Sequence, residues 1–233
     1  MPRYYGNRRS YRPRGRYNYR RPYQRTRMPK AKSEADIAWS LAKKAMRGVN
    51  AIRKLVNVEH KFVTQEDITP VASSTGSVTL LNGVARGDTA ESRDGASIRF
   101  TRFLGNFQLK MSSSGYNTWT RVILFVYHEN NASAKVLGNI LQTSDTKAML
   151  QEDNESKFTV LKDRTFAQTV TASQTAAWTW DVPLNFHSTY TVGASTGAAT
   201  DLQTGALYLL VLSNEATNTP TLSLTCRSTF IDN

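Results

Sequence analysis

Residues 177–186 read Ala177-Trp178-Thr179-Trp180-Asp181-Val182-Pro183-Leu184-Asn185-Phe186, and nearly every second side chain is large and apolar. Trp178, Trp180, Val182, Leu184 and Phe186 alternate with Ala177, Thr179, Asp181 and Asn185. A period of two is that of an extended chain whose side chains point to opposite faces. This stretch is therefore read as a strand with one buried and one solvated face. Leu222, Leu224 and Cys226 repeat the pattern against Thr221, Ser223 and Thr225. That phase puts Cys226 in the core as a small hydrophobe without a redox role.

Outward from this stretch, six further segments read as strands: residues 61–69, 77–84, 97–111, 119–129, 158–170 and 206–213. Turn-rich sequence separates them, such as Ser112-Ser113-Ser114-Gly115 and residues 193–205, and one helical turn is expected within 134–142. Eight strands at this spacing predict an all-β fold, an eight-stranded single jelly-roll sandwich. Before it the period changes to about 3.6. Ile37, Leu41, Ala45, Val49, Ile52 and Val56 line one side of a helix, with Lys43, Lys44, Arg47, Arg53 and Lys54 on its other sides. Ser33 and Asp36 are spaced as a capping box at its start, and the helix is expected to end near Asn57.

The charge lies elsewhere. Residues 1–32 hold 12 basic side chains and no acid: Arg3, Arg8, Arg9, Arg12, Arg14, Arg16, Arg20, Arg21, Arg25, Arg27, Lys30 and Lys32. The chain has 30 basic and 18 acidic residues, so residues 33–233 carry 18 of each and are neutral. Six of the ten tyrosines are in the same arm: Tyr4, Tyr5, Tyr11, Tyr17, Tyr19 and Tyr23. Guanidinium groups grip phosphate with two parallel hydrogen bonds, and tyrosine rings offer faces on which unpaired bases stack. Four prolines and two glycines oppose a helix there. Three segments are thus expected: a disordered nucleic-acid-binding arm (1–32), a basic amphipathic helix (33–57) and a shell of strands (58–233). Lys43, Lys44 and Arg47 are candidates to extend the nucleic-acid surface. Short basic runs also serve as nuclear-import signals, and the same residues can do both.

Several function classes are set aside. The longest apolar runs, 122–127 and 206–212, are too short to cross a bilayer, and the N-terminus has no apolar stretch of a secretory signal. One cysteine gives no disulfide framework and fits a reducing compartment. His60, His128 and His187 lack partners at metal-ligand spacing, and no phosphate loop, dinucleotide fingerprint or nucleophile elbow is present. The acid pairs Glu66-Asp67 and Glu152-Asp153 read as turns. The expectation is a non-enzymatic protein, without a certain cofactor.

A basic arm, a basic helix and a jelly-roll body together resemble the coat proteins of very small icosahedral viruses. Arg53-Lys54-Leu55-Val56-Asn57-Val58-Glu59-His60-Lys61-Phe62 resembles the helix-to-strand junction of the satellite tobacco necrosis virus coat protein family. Leu81-Asn82-Gly83-Val84-Ala85-Arg86-Gly87-Asp88 and Arg93-Asp94-Gly95-Ala96-Ser97-Ile98-Arg99 are similar to its N-G, G-D and R-x-G-x-x-I segments. Residues 121–130 and 157–163 extend the likeness. The arm is longer than that family's, and its Arg/Tyr mixture resembles capsid proteins of circular, Rep-encoding single-stranded DNA viruses.

The resemblance implies a virion subunit that assembles with itself, in about 60 copies around icosahedral symmetry. It implies packaging of single-stranded nucleic acid, DNA favoured, and a passage through the host nucleus. Sixty such arms carry on the order of 700 positive charges, enough to offset as many phosphates of a small genome. It also places Asp88 where copies meet near a threefold axis and could share a Ca²⁺ ion, with Glu59 as an additional donor. The opposing reading of Asp88 after Gly87 is a simple turn. Two other readings stay open: a cellular single-stranded nucleic-acid-binding protein and a carbohydrate-binding sandwich.

Overall fold

The computed structural model describes residues 33–55, 59–114, 117–169 and 174–232. The arm, expected at 1–32, lies outside the described residues. Residues 33–55 and the strand body are two units, taken separately below.

Helix α1 spans Glu34–Leu55. Its start is the capping box read from sequence. The Asp36 amide donates to Ser33 Oγ (3.2 Å), and the Asp36 carboxylate accepts from the Ser33 amide (3.2 Å) and hydroxyl (2.8 Å). Glu34 and Asp36 in the first turn also suit the positive end of the helix dipole.

The body has eight strands: β1 (Glu59–Ile68), β2 (Ser77–Leu80), β3 (Ser97–Lys110), β4 (Asn117–Glu129), β5 (Phe158–Thr169), β6 (Thr175–Tyr190), β7 (Leu202–Ser213) and β8 (Thr221–Asp232). They pair antiparallel in two four-stranded leaves, β1-β8-β3-β6 and β2-β7-β4-β5. Among the described residues the leaves share ladder pairing where β6 meets β7, at Thr189↔Thr204 and Tyr190↔Leu202. This is the jelly roll that the strand count predicted. Gly205 makes the junction possible. Its φ of +67° is left-handed, and a Cβ there would strike the His187 carbonyl.

In β6 the alternation holds: Trp180, Val182 and Leu184 are buried, and Thr179, Asp181 and Asn185 are exposed. Trp178 stacks on Phe107 of β3 (ring centroids 5.0 Å) and meets Phe166 of β5 (4.2 Å), so one indole ties the two leaves together. A bulge in β3 between Phe100 and Arg102 keeps both Phe100 and Phe103 inside.

β4 and β7 break the period-two rule, because both faces are covered. On the outward face Phe125 stacks on Tyr208 (5.6 Å), the Tyr208 hydroxyl donates to Asn130 Oδ1 (2.8 Å), and the Lys135 ammonium lies 4.7 Å from the Tyr127 ring. The β4–β5 connection, with Ile140 and Leu141 fully buried, packs there. Strands buried on both sides read as unbroken apolar runs, as 122–127 and 206–212 do.

Several expected extents are corrected, and β7 begins at Leu202 rather than 206. β2 stops at Leu80 rather than 84, because Asn82 and Gly83 turn the chain into a buried hydrogen-bond site instead of a ladder. β6 and β8 run on to Tyr190 and Asp232, past the last obvious apolar alternation. The helical turn expected in 134–142 is a 3₁₀ turn at Leu137–Asn139, and a second, unforeseen one covers Glu152–Lys157.

Candidate nucleic-acid interface and loop scaffold

The nucleic-acid candidates divide between the arm and α1. Arg3, Arg8, Arg9, Arg12, Arg14, Arg16, Arg20, Arg21, Arg25, Arg27, Lys30, Lys32 and the six tyrosines lie outside the described residues. Lys43, Lys44 and Arg47 are all exposed on α1. Helical spacing sets Lys43 and Arg47 on the side away from Ile37 and Leu41, whereas Lys44, seven residues from Ile37 and three from Leu41, borders the apolar side. The Lys43 ammonium sits 5.1 Å from the centre of the Trp39 ring, pairing a cation with an exposed aromatic face. Trp39 and Met46 are 65% and 70% exposed. Basic and aromatic groups open to solvent are the chemistry a phosphate-and-base polymer meets.

Asp88 is exposed in the loop between β2 and β3, beside Gly87, whose amide donates to the Arg93 carbonyl (3.0 Å). Among the described residues, no three His, Cys, Asp or Glu side chains come together. Asp88 is therefore part of no such group within the described residues of one subunit. The histidines lie apart, at exposed positions of β1 (His60), β4 (His128) and β6 (His187). His128 Nε2 is 2.8 Å from Thr159 Oγ1.

What the loops at this end do instead is hold one another. Arg93 is 2% exposed. It donates through Nε to the Val84 carbonyl (3.2 Å), through Nη1 to Gly95 (2.6 Å) and through Nη2 to Ala194 (2.7 Å). Its guanidinium lies 3.8 Å from the centre of the Tyr190 ring. Burial is the largest influence on its ionisation and lowers its pKa, as burial pushes the Tyr190 phenol well up.

Asn82 is fully buried. Its amide nitrogen donates to Gly205 O (2.9 Å) and Ser188 Oγ (3.1 Å), and its oxygen accepts from the Leu207 amide (2.8 Å). Gly83 must be glycine, since a Cβ would meet the Gly197 carbonyl. So the N-G and R-x-G-x-x-I residues belong to one scaffold that joins the β2–β3 and β6–β7 connections. Sequence reasoning saw the motif but not this role, because its partners are main-chain carbonyls far along the chain.

Lys61 adds a second tie. It is 2% exposed, and its ammonium lies 3.1 Å from the Asp94 carboxylate and 3.5 Å from that of Asp232. Asp232 also accepts from the Asp94 amide (2.6 Å). The start of the body, the β2–β3 connection and the end of β8 thereby meet around one cation. Beside them the β6–β7 connection projects Val192, 95% exposed.

A family model described as satellite tobacco necrosis virus coat protein matches residues 32–233. No curated protein matches the chain. Among solved structures, the infectious bursal disease virus Gx strain shares 10% identity, over 76% of this chain and 33% of that one, with a TM-score of 0.30. The Gt strain gives 10%, 76%, 32% and 0.28. The chain therefore spans about a third of those longer chains, and scores this low carry no argument. The family match covers all but the arm, including every residue of the loop scaffold, and on that ground the chain belongs to the satellite tobacco necrosis virus coat protein family.

Proposed function

We propose that this coat protein closes into a shell of about 60 copies, the smallest icosahedral number, and packages a single-stranded genome through residues 1–32. DNA is the favoured polymer, on the likeness of the Arg/Tyr arm. The observation that carries the reading is the segregation of charge. Twelve basic side chains without one acid precede residue 33, and the remaining 201 residues sum to zero. A neutral body meets its copies without net repulsion, while the arm supplies counter-charge to phosphate. The exposed Lys43, Lys44 and Arg47 continue that charge onto α1. The same basic run would serve as the nuclear address. Asp88 from three copies would share Ca²⁺, and shells that loosen in chelator and tighten again with added calcium would bear this out.

The test is sedimentation of the purified full chain, read at 260 and 280 nm, beside a variant with the ten arm arginines changed to glutamine. A fast boundary rich in 260 nm absorbance is expected for the wild type and is lost in the variant. Binding to a single-stranded oligonucleotide should fall with salt at a log–log slope near −8 if all twelve charges meet phosphates. An unchanged slope in the variant would move the nucleic-acid site off the arm. A wild-type chain that stays a monomer with oligonucleotide present would instead favour a cellular binding module.

A further inference from the structure

A cleft of about 660 Å³ opens on the outward side of the β2-β7-β4-β5 leaf. Trp119 and Arg121 of β4, Asp163 and Thr165 of β5, and residues 146–150 line it. Its floor is already neutral and held. Arg121 makes a two-bond pair with Asp163 (Nε to Oδ1 3.0 Å, Nη2 to Oδ2 2.6 Å) and donates through Nη1 to the Ala148 carbonyl (2.6 Å). The mouth carries Trp119, 47% exposed, and Met149, 72% exposed, with the exposed Lys147 beside them. Tryptophan and methionine are enriched where proteins meet proteins, and a rigid floor lowers the cost of docking.

Beside this cleft runs an open sheet edge. Among the described residues β5 pairs with β4 alone, leaving its other edge without a partner strand along 12 residues. An unpaired edge of about 40 Å next to this cleft is a surface that a lone subunit exposes at a risk of aggregation. Lys162, Asp163 and Arg164 interrupt the edge with mixed charge, which disfavours indiscriminate pairing.

We propose that this cleft and the free edge of β5 form a contact surface between copies of this chain. The occupant is a second copy because the family is one of coat proteins and the Arg121–Asp163 pair neutralises the floor, leaving apolar Trp119 and Met149 beside a rim cation, Lys147. The proposal rests on the shell reading above and names one of the surfaces that would build the shell.

The test uses the full-length chain. Met149→Asp and Thr165→Arg are both at exposed positions, so neither burdens the fold, and an unchanged thermal melt checks this. Each is expected to lower the assembled fraction at least tenfold by sedimentation velocity. In wild-type shells, amide exchange at 146–150 and along β5 should slow at least tenfold relative to dissociated subunits. Shells of wild-type yield from both variants, or exchange at 146–150 that is unchanged on assembly, would overturn the proposal and leave the shell reading intact. A variant that assembles normally but no longer attaches to host cells would give the cleft to a host molecule instead. A wild type that never assembles would remove the shell reading itself, and this surface with it.

Discussion

The Arg93 guanidinium lies 3.8 Å from the centre of the Tyr190 ring, in a site where it donates to three main-chain carbonyls, those of Val84, Gly95 and Ala194. Among the described residues no carboxylate pairs with it at salt-bridge distance. A buried cation held in this way fixes backbone geometry. Replacing it with methionine fills the volume but leaves the Val84, Gly95 and Ala194 carbonyls without that donor. Arg93→Met should cost about 3 kcal/mol in urea denaturation, and Arg93→Lys nearly as much, since an ammonium cannot serve three carbonyls set around a planar fork. An unchanged midpoint in either variant would show that the loops hold without it.

Trp180 is 7% exposed and meets Phe107 edge-on, with ring centroids 4.8 Å apart. Trp180→Ala opens a cavity between strands that cannot collapse, and a loss of about 3–5 kcal/mol is expected. Thr179→Ala, on the solvated face of the same strand, should stay within about 0.5 kcal/mol. Equal effects at the two positions would contradict the strand's phase.

Burial pushes the Cys226 thiol up to about 12. At about pH 8 the native chain should therefore react with an aromatic disulfide reagent only as fast as it unfolds, while urea exposes a normal thiol. Because the folded value is raised, this group's contribution to stability is complete below the unfolded value near 9. It is lost as the pH rises from there toward the folded value. Rapid labelling of the native protein would place Cys226 outside the core.

Asp201 works in the opposite sense. The Thr196 hydroxyl (2.6 Å), with the Gly197 and Thr196 amides, holds its carboxyl below the usual carboxylate range. A depressed folded pKa stabilises above the unfolded value near 4 and loses that effect as the pH falls through the folded value. The melting temperatures of wild type and Asp201→Asn should differ most near pH 7 and converge below about pH 4. A gap that widens in acid would exclude this role.

The strand phase of β6 was legible because its two faces meet different media, and a period of two records that difference directly. In β4 and β7 both faces are dry, so residues 122–127 and 206–212 announce burial but not which side faces the opposite leaf. Asn82 was taken into a strand because the neighbouring Leu81 and Val84 are apolar, although its amide serves Gly205 and Leu207 across the fold. Arg93 stands out in the sequence only as the head of the R-x-G-x-x-I segment, with no role attached. Its acceptors are carbonyls at positions 84, 95 and 194, and a carbonyl has no sequence signature. Pro183 could have said more. A residue without an amide proton in the middle of a long strand marks an edge, and β6 does leave the free edge of its leaf. The capping pair Ser33 and Asp36 was readable because both partners are side chains three residues apart.

Arg93 and Asn82 grip backbone, and backbone is the same whatever residue bears it. Side chains on the β2–β3 and β6–β7 connections that do not themselves brace the frame, as Gly83, Asp94 and Asp201 do, are uncoupled from it. Val192, standing clear at one tip, can be replaced without removing an acceptor of Arg93, provided the Thr191–Ala194 turn that presents the Ala194 carbonyl keeps its length. Side-chain exchange at position 192 can thus rewrite that surface while the frame beneath it stays in place.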